Sequence, residues 1–406
     1  MLQLTFLGTS AGVPTKQRNV TALAIECLNP YTAGVKSTLS QNSLQNKKSR
    51  PWLLIDCGEG TQQQILYTKL SLHQLVAICI THVHGDHCYG LPGLLASGAM
   101  SGRREALTII APQAIATLLD AIMLTTELHL PYPINFIVIE EVLSEQKEAT
   151  KAFITLDLDH QQQLTIDITK LSHRVPSHAF GITQTISHRR LDTTKLKAEN
   201  IAPSQLWGKL QQGEDVTTLE GQHLLSAEYV HNEQRRTRVV VAGDNDTPRC
   251  LIDTVQDTDL LVHEATYTAE VLAKIQSRIQ SRSQSQNADF DADAGFDTDA
   301  DADASFDTDF DPRHSSAQLV GQFAQDIGLN NLILTHFSAR YQSFDDPNSS
   351  TANMSDIRID AQNTYQGNLW LAKDFAQYRV TGKSLTTEDK ADSKVEFLGS
   401  VFDGKP

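Results

Sequence analysis

Thr81-His82-Val83-His84-Gly85-Asp86-His87 places four side chains able to bind a metal within six consecutive positions, His82 to His87. The stretch follows the apolar run 76–80 directly, so it reads as a loop at the carboxyl end of a buried strand. His82 and His84 alternate and share one face of an extended chain, whereas Asp86 and His87 lie beyond Gly85 and can address a second point. That spacing suits two adjacent divalent ions. The bland alternative is a histidine-rich surface loop, and entry from a buried strand argues against it.

Further along the chain the same arrangement recurs. His173 follows an apolar strand ending at Leu171, Asp244 follows Val239-Val240-Val241-Ala242-Gly243, and His336 follows Leu332-Ile333-Leu334-Thr335. A lone histidine after a strand is usually structural, but a ligand type at the end of three successive strands is hard to dismiss. Asp244 is a carboxylate able to bridge two ions. Strands are expected at 2–7, 20–27, 52–55, 107–110, 164–171, 237–242, 260–263 and 332–335, with helices at 62–69, 111–130 and 315–327. Strands dominate early and helices alternate with them later, an α/β pattern as in a sheet sandwich covered by helices.

The 406 residues, 40 % hydrophobic, are enough for one large core. The amino terminus has neither a basic region nor a long apolar run, so no signal peptide or membrane anchor is expected and the chain is placed in the cytoplasm. Five scattered cysteines with no C-x-x-C pair argue against a disulfide framework or a zinc ribbon. The net charge of −15 looks wrong for a protein that meets nucleic acid, yet ten aspartates fall between Ala288 and Asp311 alone. That repeat lacks the glycine and the glutamate of an EF-hand loop, which argues against a calcium site. We expect a single domain over residues 1–380, with polar surface insertions at about 29–50, 277–312 and 343–363 that cannot bury a core of their own. Residues 381–406 are expected to form a flexible tail.

His82-Val83-His84-Gly85-Asp86-His87 resembles the signature of the metallo-β-lactamase superfamily, and further motifs resemble the ribonuclease Z family of tRNA 3′-processing endonucleases. These are Phe6-Leu7-Gly8-Thr9-Ser10-Ala11-Gly12-Val13-Pro14-Thr15 with Arg18-Asn19, Ile55-Asp56-Cys57-Gly58-Glu59-Gly60-Thr61, His263-Glu264-Ala265-Thr266-Tyr267, and Thr335-His336-Phe337-Ser338-Ala339-Arg340-Tyr341. The resemblance implies a metallo-β-lactamase αβ/βα sandwich and two divalent ions, read as Zn2+. One ion would be held by His82, His84 and His173, the other by Asp86, His87 and His336, with Asp244 between them. It also implies precursor tRNA as substrate, a tRNA 3′-hydroxyl as product, and a homodimer.

This chain departs from the family pattern in three places. Asp244 is followed by Asn245 where a threonine is usual, His178 stands five residues after His173 as a rival ligand, and the stretch near Ser187 to Trp207 lacks the Gly-Pro motif of the family's tRNA-gripping arm. Within the expected mechanism Asp86 takes a proton from water, and His263 with Glu264 beside it protonates the leaving oxygen. Ser338 and Arg340 hold a phosphate. Rival readings are another hydrolase on the same fold, such as a cyclic-nucleotide or other small phosphodiesterase or a thioester or lactam hydrolase, and a non-catalytic binding protein that has lost its metals.

Overall fold

Runs such as Trp52–Ile55 and Val239 to Ala242 are apolar at every position because both faces of their sheets are covered. Leu53, Ile55, Val239 and Val241 point between two sheets, while Trp52, Leu54, Val240 and Ala242 point away from that interface toward the outer layers. The computed structural model describes residues 1–32, 50–145, 153–285, 313–386 and 393–402.

One sheet runs in the spatial order Lys394–Ser400, Ala376–Thr381, Leu2–Gly8, Ala22–Cys27, Trp52–Ile55, Leu75–Cys79, Leu107–Ala111, Ile134–Val138. The other runs Asn368–Leu371, Asn331–Thr335, Leu260–Glu264, Val230–Ala242, Ser177–Leu191, Gln162–Leu171, Phe153–Asp157. Their inner faces meet through Leu4, Phe6, Ile25, Ile166, Phe180, Val262 and Ile333. Helices Leu91–Met100 and Gln113–Thr125 cover the outside of the first sheet, and Ala317–Asp326 and Met354–Gln362 the outside of the second. The result is the αβ/βα sandwich expected from the sequence.

Topology decides where the site forms. Gln162–Leu171 and Val230–Ala242 are both antiparallel to the strand between them, and Val230–Ala242, Leu260–Glu264 and Asn331–Thr335 are parallel neighbours. The carboxyl ends of all four therefore lie at one edge of the sheet. Beyond the opposite ends of the sheet pair, Ser177–Leu191 and Val230–Ala242 continue as a long ribbon. The excursion at its tip, residues 192–229, has its own small core of Leu196, Ile201, Leu210, Val216, Leu224 and Tyr229.

Three expectations are corrected. Residues 343–363 are not a coreless insertion: they contain helix Met354–Gln362, opened by a reciprocal Asn353/Asp356 cap, and Met354, Ile357 and Ala361 pack into the core. Three apolar residues at helical spacing suffice to anchor a segment whose composition is otherwise polar. Residues 277–285 complete helix Ala269–Ser285. Residues 394–400 are an edge strand, antiparallel to Ala376–Thr381, with Val395 against the core, so the tail is not frayed there. The remaining expectations for 33–49 and 286–312 lie outside the described residues.

Candidate metal centre

Strand Leu75–Cys79 delivers Thr81, whose backbone N–H donates to Asp56 Oδ1 at 2.7 Å and whose hydroxyl donates to Oδ2 at 2.9 Å. Asp56 ends the neighbouring strand in a left-handed conformation, φ 57°, that turns its carboxylate under the loop. His84 then precedes a single helical turn, Gly85–Cys88, which carries Asp86 and His87. Gly58 carries no side chain because the Asp86 carbonyl occupies the space a Cβ would need.

The seven residues singled out above converge. His82, His84, His173 and Asp244 bring their ligand atoms within 4.8 Å of one another, and so do Asp86, His87 and His336. Asp244 divides its oxygens between the groups. Oδ2 lies 3.5 Å from His82 Nε2 and 3.8 Å from His173 Nε2, while Oδ1 lies 3.3 Å from both His87 Nε2 and His336 Nε2.

The outward nitrogens are tied down. His87 Nδ1 donates to Asp56 at 2.8 Å, His173 Nδ1 to the Arg313 carbonyl at 2.9 Å and His82 Nδ1 to the Thr81 hydroxyl at 3.0 Å, while His336 Nδ1 shares a hydrogen bond of 2.7 Å with the Thr21 hydroxyl. The Asp56 carboxylate, the Arg313 carbonyl and the Thr81 hydroxyl, whose own proton goes to Asp56, place a proton on Nδ1 of His87, His173 and His82, and all four contacts turn Nε2 toward the centre. His84 is turned the other way, its Nδ1 3.0 Å from His82 Nε2 and 3.3 Å from His173 Nε2. His87 Nε2 is buried without a hydrogen-bond partner. Lone pairs gathered around two carboxylates, one of them orphaned, fit divalent ions and have no other economical explanation.

Electrostatics agree with that donor set. Burial pushes His82 and His84 down to about 4, so both are neutral ligands at neutral pH. Burial opposes charge on His87 as well, but Asp244, Asp86 and Asp56 outweigh it, so without an ion its Nε2 carries a proton that a bound metal would displace. Asp86 and Asp244 are held well below the usual carboxylate range: burial opposes this and the surrounding histidines overcome it.

His263 does not face this cluster. It is fully buried, its Nδ1 donates to the Glu264 carbonyl at 2.7 Å, and its Nε2 lies 3.1 Å from Asn245 Nδ2. No proton remains for a substrate. His314, which no sequence pattern singles out, joins the cluster: its Nδ1 donates to Glu264 at 3.0 Å and lies 3.9 Å from Asp244, with its ring 5.2 Å from that of His173 and 5.5 Å from that of His336. Burial opposes its charge, but Glu264 and Asp244 push it up to about 9. His178 is no ligand in this arrangement: its Nδ1 donates to the Thr81 carbonyl at 2.9 Å and braces the loop. Ser338 is buried beyond His336, and Arg340 donates to its hydroxyl while lying over the Tyr267 ring.

Curated proteins resemble this chain over most of its length. A curated ribonuclease Z of Marinobacter nauticus is 40 % identical over 379 residues, 93 % of this chain and 96 % of the relative. One from Pseudomonas putida is 38 % identical over 93 % of this chain and 97 % of its own length. The family described as Anti-Pycsar protein Apyc1 matches residues 31–135 only. Among solved structures, the short form of human tRNase Z superposes with a TM-score of 0.51 at 20 % identity, over 92 % of this chain and 98 % of the other, a likeness of fold. Near-full-length identity to curated relatives, on a fold whose strand ends gather this cluster, means that the chain belongs to the ribonuclease Z family.

Proposed function

We propose that the protein is a zinc-dependent endoribonuclease that removes the 3′ trailer of precursor tRNA, and that it acts as a homodimer in the cytoplasm. The observation that carries the reading is the division of Asp244 between two histidine groups, which suits two ions sharing one carboxylate. His82, His84 and His173 would hold one, and Asp86, His87 and His336 the other. Bound there, the pair supplies a water that is deprotonated at neutral pH and offsets charge on the phosphodiester under attack. Five cysteines without a disulfide are consistent with a reducing compartment. The catalytic unit is read as one domain over residues 1–380, extended by the edge strand Lys394–Ser400.

The chain's own groups divide the remaining work. The Gly12 N–H donates to Asp86 Oδ2 at 2.8 Å and orients the carboxylate that takes the proton of the attacking water. His314, held by Glu264, replaces His263 as the acid. It protonates the 3′-oxygen of the tRNA as the phosphorus–oxygen bond breaks, which leaves a 3′-hydroxyl on the tRNA and a 5′-phosphate on the trailer. Ser338 and Arg340 follow His336 and bind a phosphate beside the scissile one.

The test is to map the 3′ end of a precursor tRNA after incubation with and without chelator, alongside bis(p-nitrophenyl) phosphate and a metal analysis. About two zinc ions per chain and a single chelator-sensitive cut are expected, and His84→Ala should lose metal and activity together. Turnover of the small ester without cleavage of precursor tRNA would overturn the reading in favour of a small-molecule phosphodiesterase. Sedimentation of the purified protein as a monomer would overturn the homodimer.

A further inference from the structure

Asn245 is fully buried at the point where three loops of the site meet. Its backbone N–H donates to Glu264 Oε1 at 2.8 Å, and its carbonyl accepts from the Ser315 hydroxyl at 2.6 Å. Its side-chain Oδ1 accepts from the backbone N–H groups of Ser172 and Thr247, both at 3.2 Å. Two backbone donors at Oδ1 fix the orientation of the amide, so Nδ2 donates to His263 Nε2 at 3.1 Å. This in turn fixes His263 as the neutral Nδ1–H tautomer, whose proton goes to the Glu264 carbonyl.

The partners of Asn245 are neighbours of the working residues. Ser172 precedes His173, Ser315 follows His314, Glu264 holds His314 Nδ1, and Asp244 is the residue before. One side chain therefore sets the position of a ligand loop, and the same residue's backbone holds the loop of the acid. The threonine usual in the family at this position is shorter and offers a single oxygen. Its one hydroxyl would have to serve both Ser172 N–H and His263 Nε2, which in asparagine meet two different atoms.

We infer that Asn245 is a positioning residue that locks the His173 loop to the Asp244 carboxylate through its side chain and the His314 loop through its carbonyl, with His263 serving as its buried support. The inference rests on the metal-centre reading above. It assigns His263 a role that needs no contact with substrate, and it predicts that two substitutions will separate the two functions.

Metal-depleted wild-type, Asn245→Ala, Asn245→Asp and Ser315→Ala proteins would be titrated with zinc against a chromophoric chelator, with thermal unfolding of each metal-free protein as the control for folding. Wild type should take two ions. Asn245→Ala should keep one at wild-type strength and bind the other about 10- to 100-fold more weakly. That loss should not add to the loss caused by His173→Ala, because both act on one ligand. Asn245→Asp keeps both acceptor bonds, and its second oxygen is matched once His263 takes up a proton at Nε2, so it should retain two ions, which also decides the matter if the alanine variant does not fold. Ser315→Ala should retain two ions and lower kcat on precursor tRNA about tenfold at unchanged KM. Zinc binding by Asn245→Ala equal to wild type, or equal weakening in the alanine and aspartate variants, would overturn the inference while leaving the metal centre standing. A wild-type protein that binds no zinc would overturn both.

Discussion

The Gly12 backbone N–H donates to Asp86 Oδ2 at 2.8 Å, across 74 residues of sequence. Gly12 sits at φ 68° in a loop closed by Thr9 and Ser10 donating to the Asn19 carbonyl. The carboxylate proposed as proton acceptor is thus oriented by a loop that supplies no metal ligand.

From this follows the first prediction. Asp86→Asn should fold normally but lose turnover by about 10²- to 10⁴-fold, because an amide accepts no proton and gives the second metal position no charge. Gly12→Ala has open space for its methyl but must hold a left-handed conformation, at a cost of about 1 kcal/mol. It should lower kcat more than it raises KM. Steady-state kinetics with circular dichroism check both, and full activity in Asp86→Asn would remove the base from Asp86.

His314 and His263 should behave differently when each is replaced by alanine. His314→Ala is expected to slow single-turnover cleavage about 10²- to 10⁴-fold with little change in tRNA affinity. His263→Ala leaves Asn245 Nδ2 buried without an acceptor, so it should lower thermal stability by an amount on the order of 1–3 kcal/mol. The opposite pattern would restore His263 as the acid.

These two histidines show where the sequence could and could not be read. His82, His84, His87, His173, Asp244 and His336 each follow an apolar run closely, because the sheets are buried on both faces and their strand ends converge. His314 follows no strand: it stands three residues after the aspartate repeat, and composition alone hides it. The pairing of Asn245 with Ser172 spans 73 residues between loops, and no local pattern announces it. Helix Met354–Gln362 and strand Lys394–Ser400 were obscured for the same reason, since a few buried residues such as Ile357 and Val395 decide their packing while the average composition stays polar.

Asp374 should leave a signature in the dependence of stability on pH. It accepts from Thr9 Oγ1 and the Asn19 N–H, both at 2.7 Å, yet burial pushes its carboxyl up to about 6. The folded state therefore holds a proton that the unfolded chain, near 3.8, has released. Its contribution to stability is present below about 4 and is lost as pH rises through about 6. In Asp374→Asn the amide can accept from Asn19 and donate to Thr9. The variant should gain about 1–2 kcal/mol over wild type above pH 6, allowing for partial exposure, and nothing below pH 4. Chemical denaturation at pH 4, 5, 6 and 7 measures this, and a constant difference across that range would refute the assignment.

The last prediction concerns the ten aspartates between Ala288 and Asp311. The described chain resumes at Arg313, whose carbonyl accepts from His173, and continues into His314 of the cluster. A large negative charge is therefore joined covalently to the rim of a site that must receive a polyanion. Such repulsion acts over about a Debye length, roughly 10 Å at 0.1 M salt and about 30 Å at 0.01 M, so it should slow encounter chiefly at low ionic strength. Replacing all ten by asparagine removes the charge without shortening the segment. The variant should bind as much zinc as wild type and should show a severalfold higher kcat/KM on precursor tRNA at about 0.01 M salt, with the two proteins converging near 0.15 M. Cleavage rate against salt concentration is the measurement. Because the electrostatic term vanishes at high salt, a defect that persists there, or a loss of bound zinc, would mean that the segment belongs to the working structure and is more than a charged appendage.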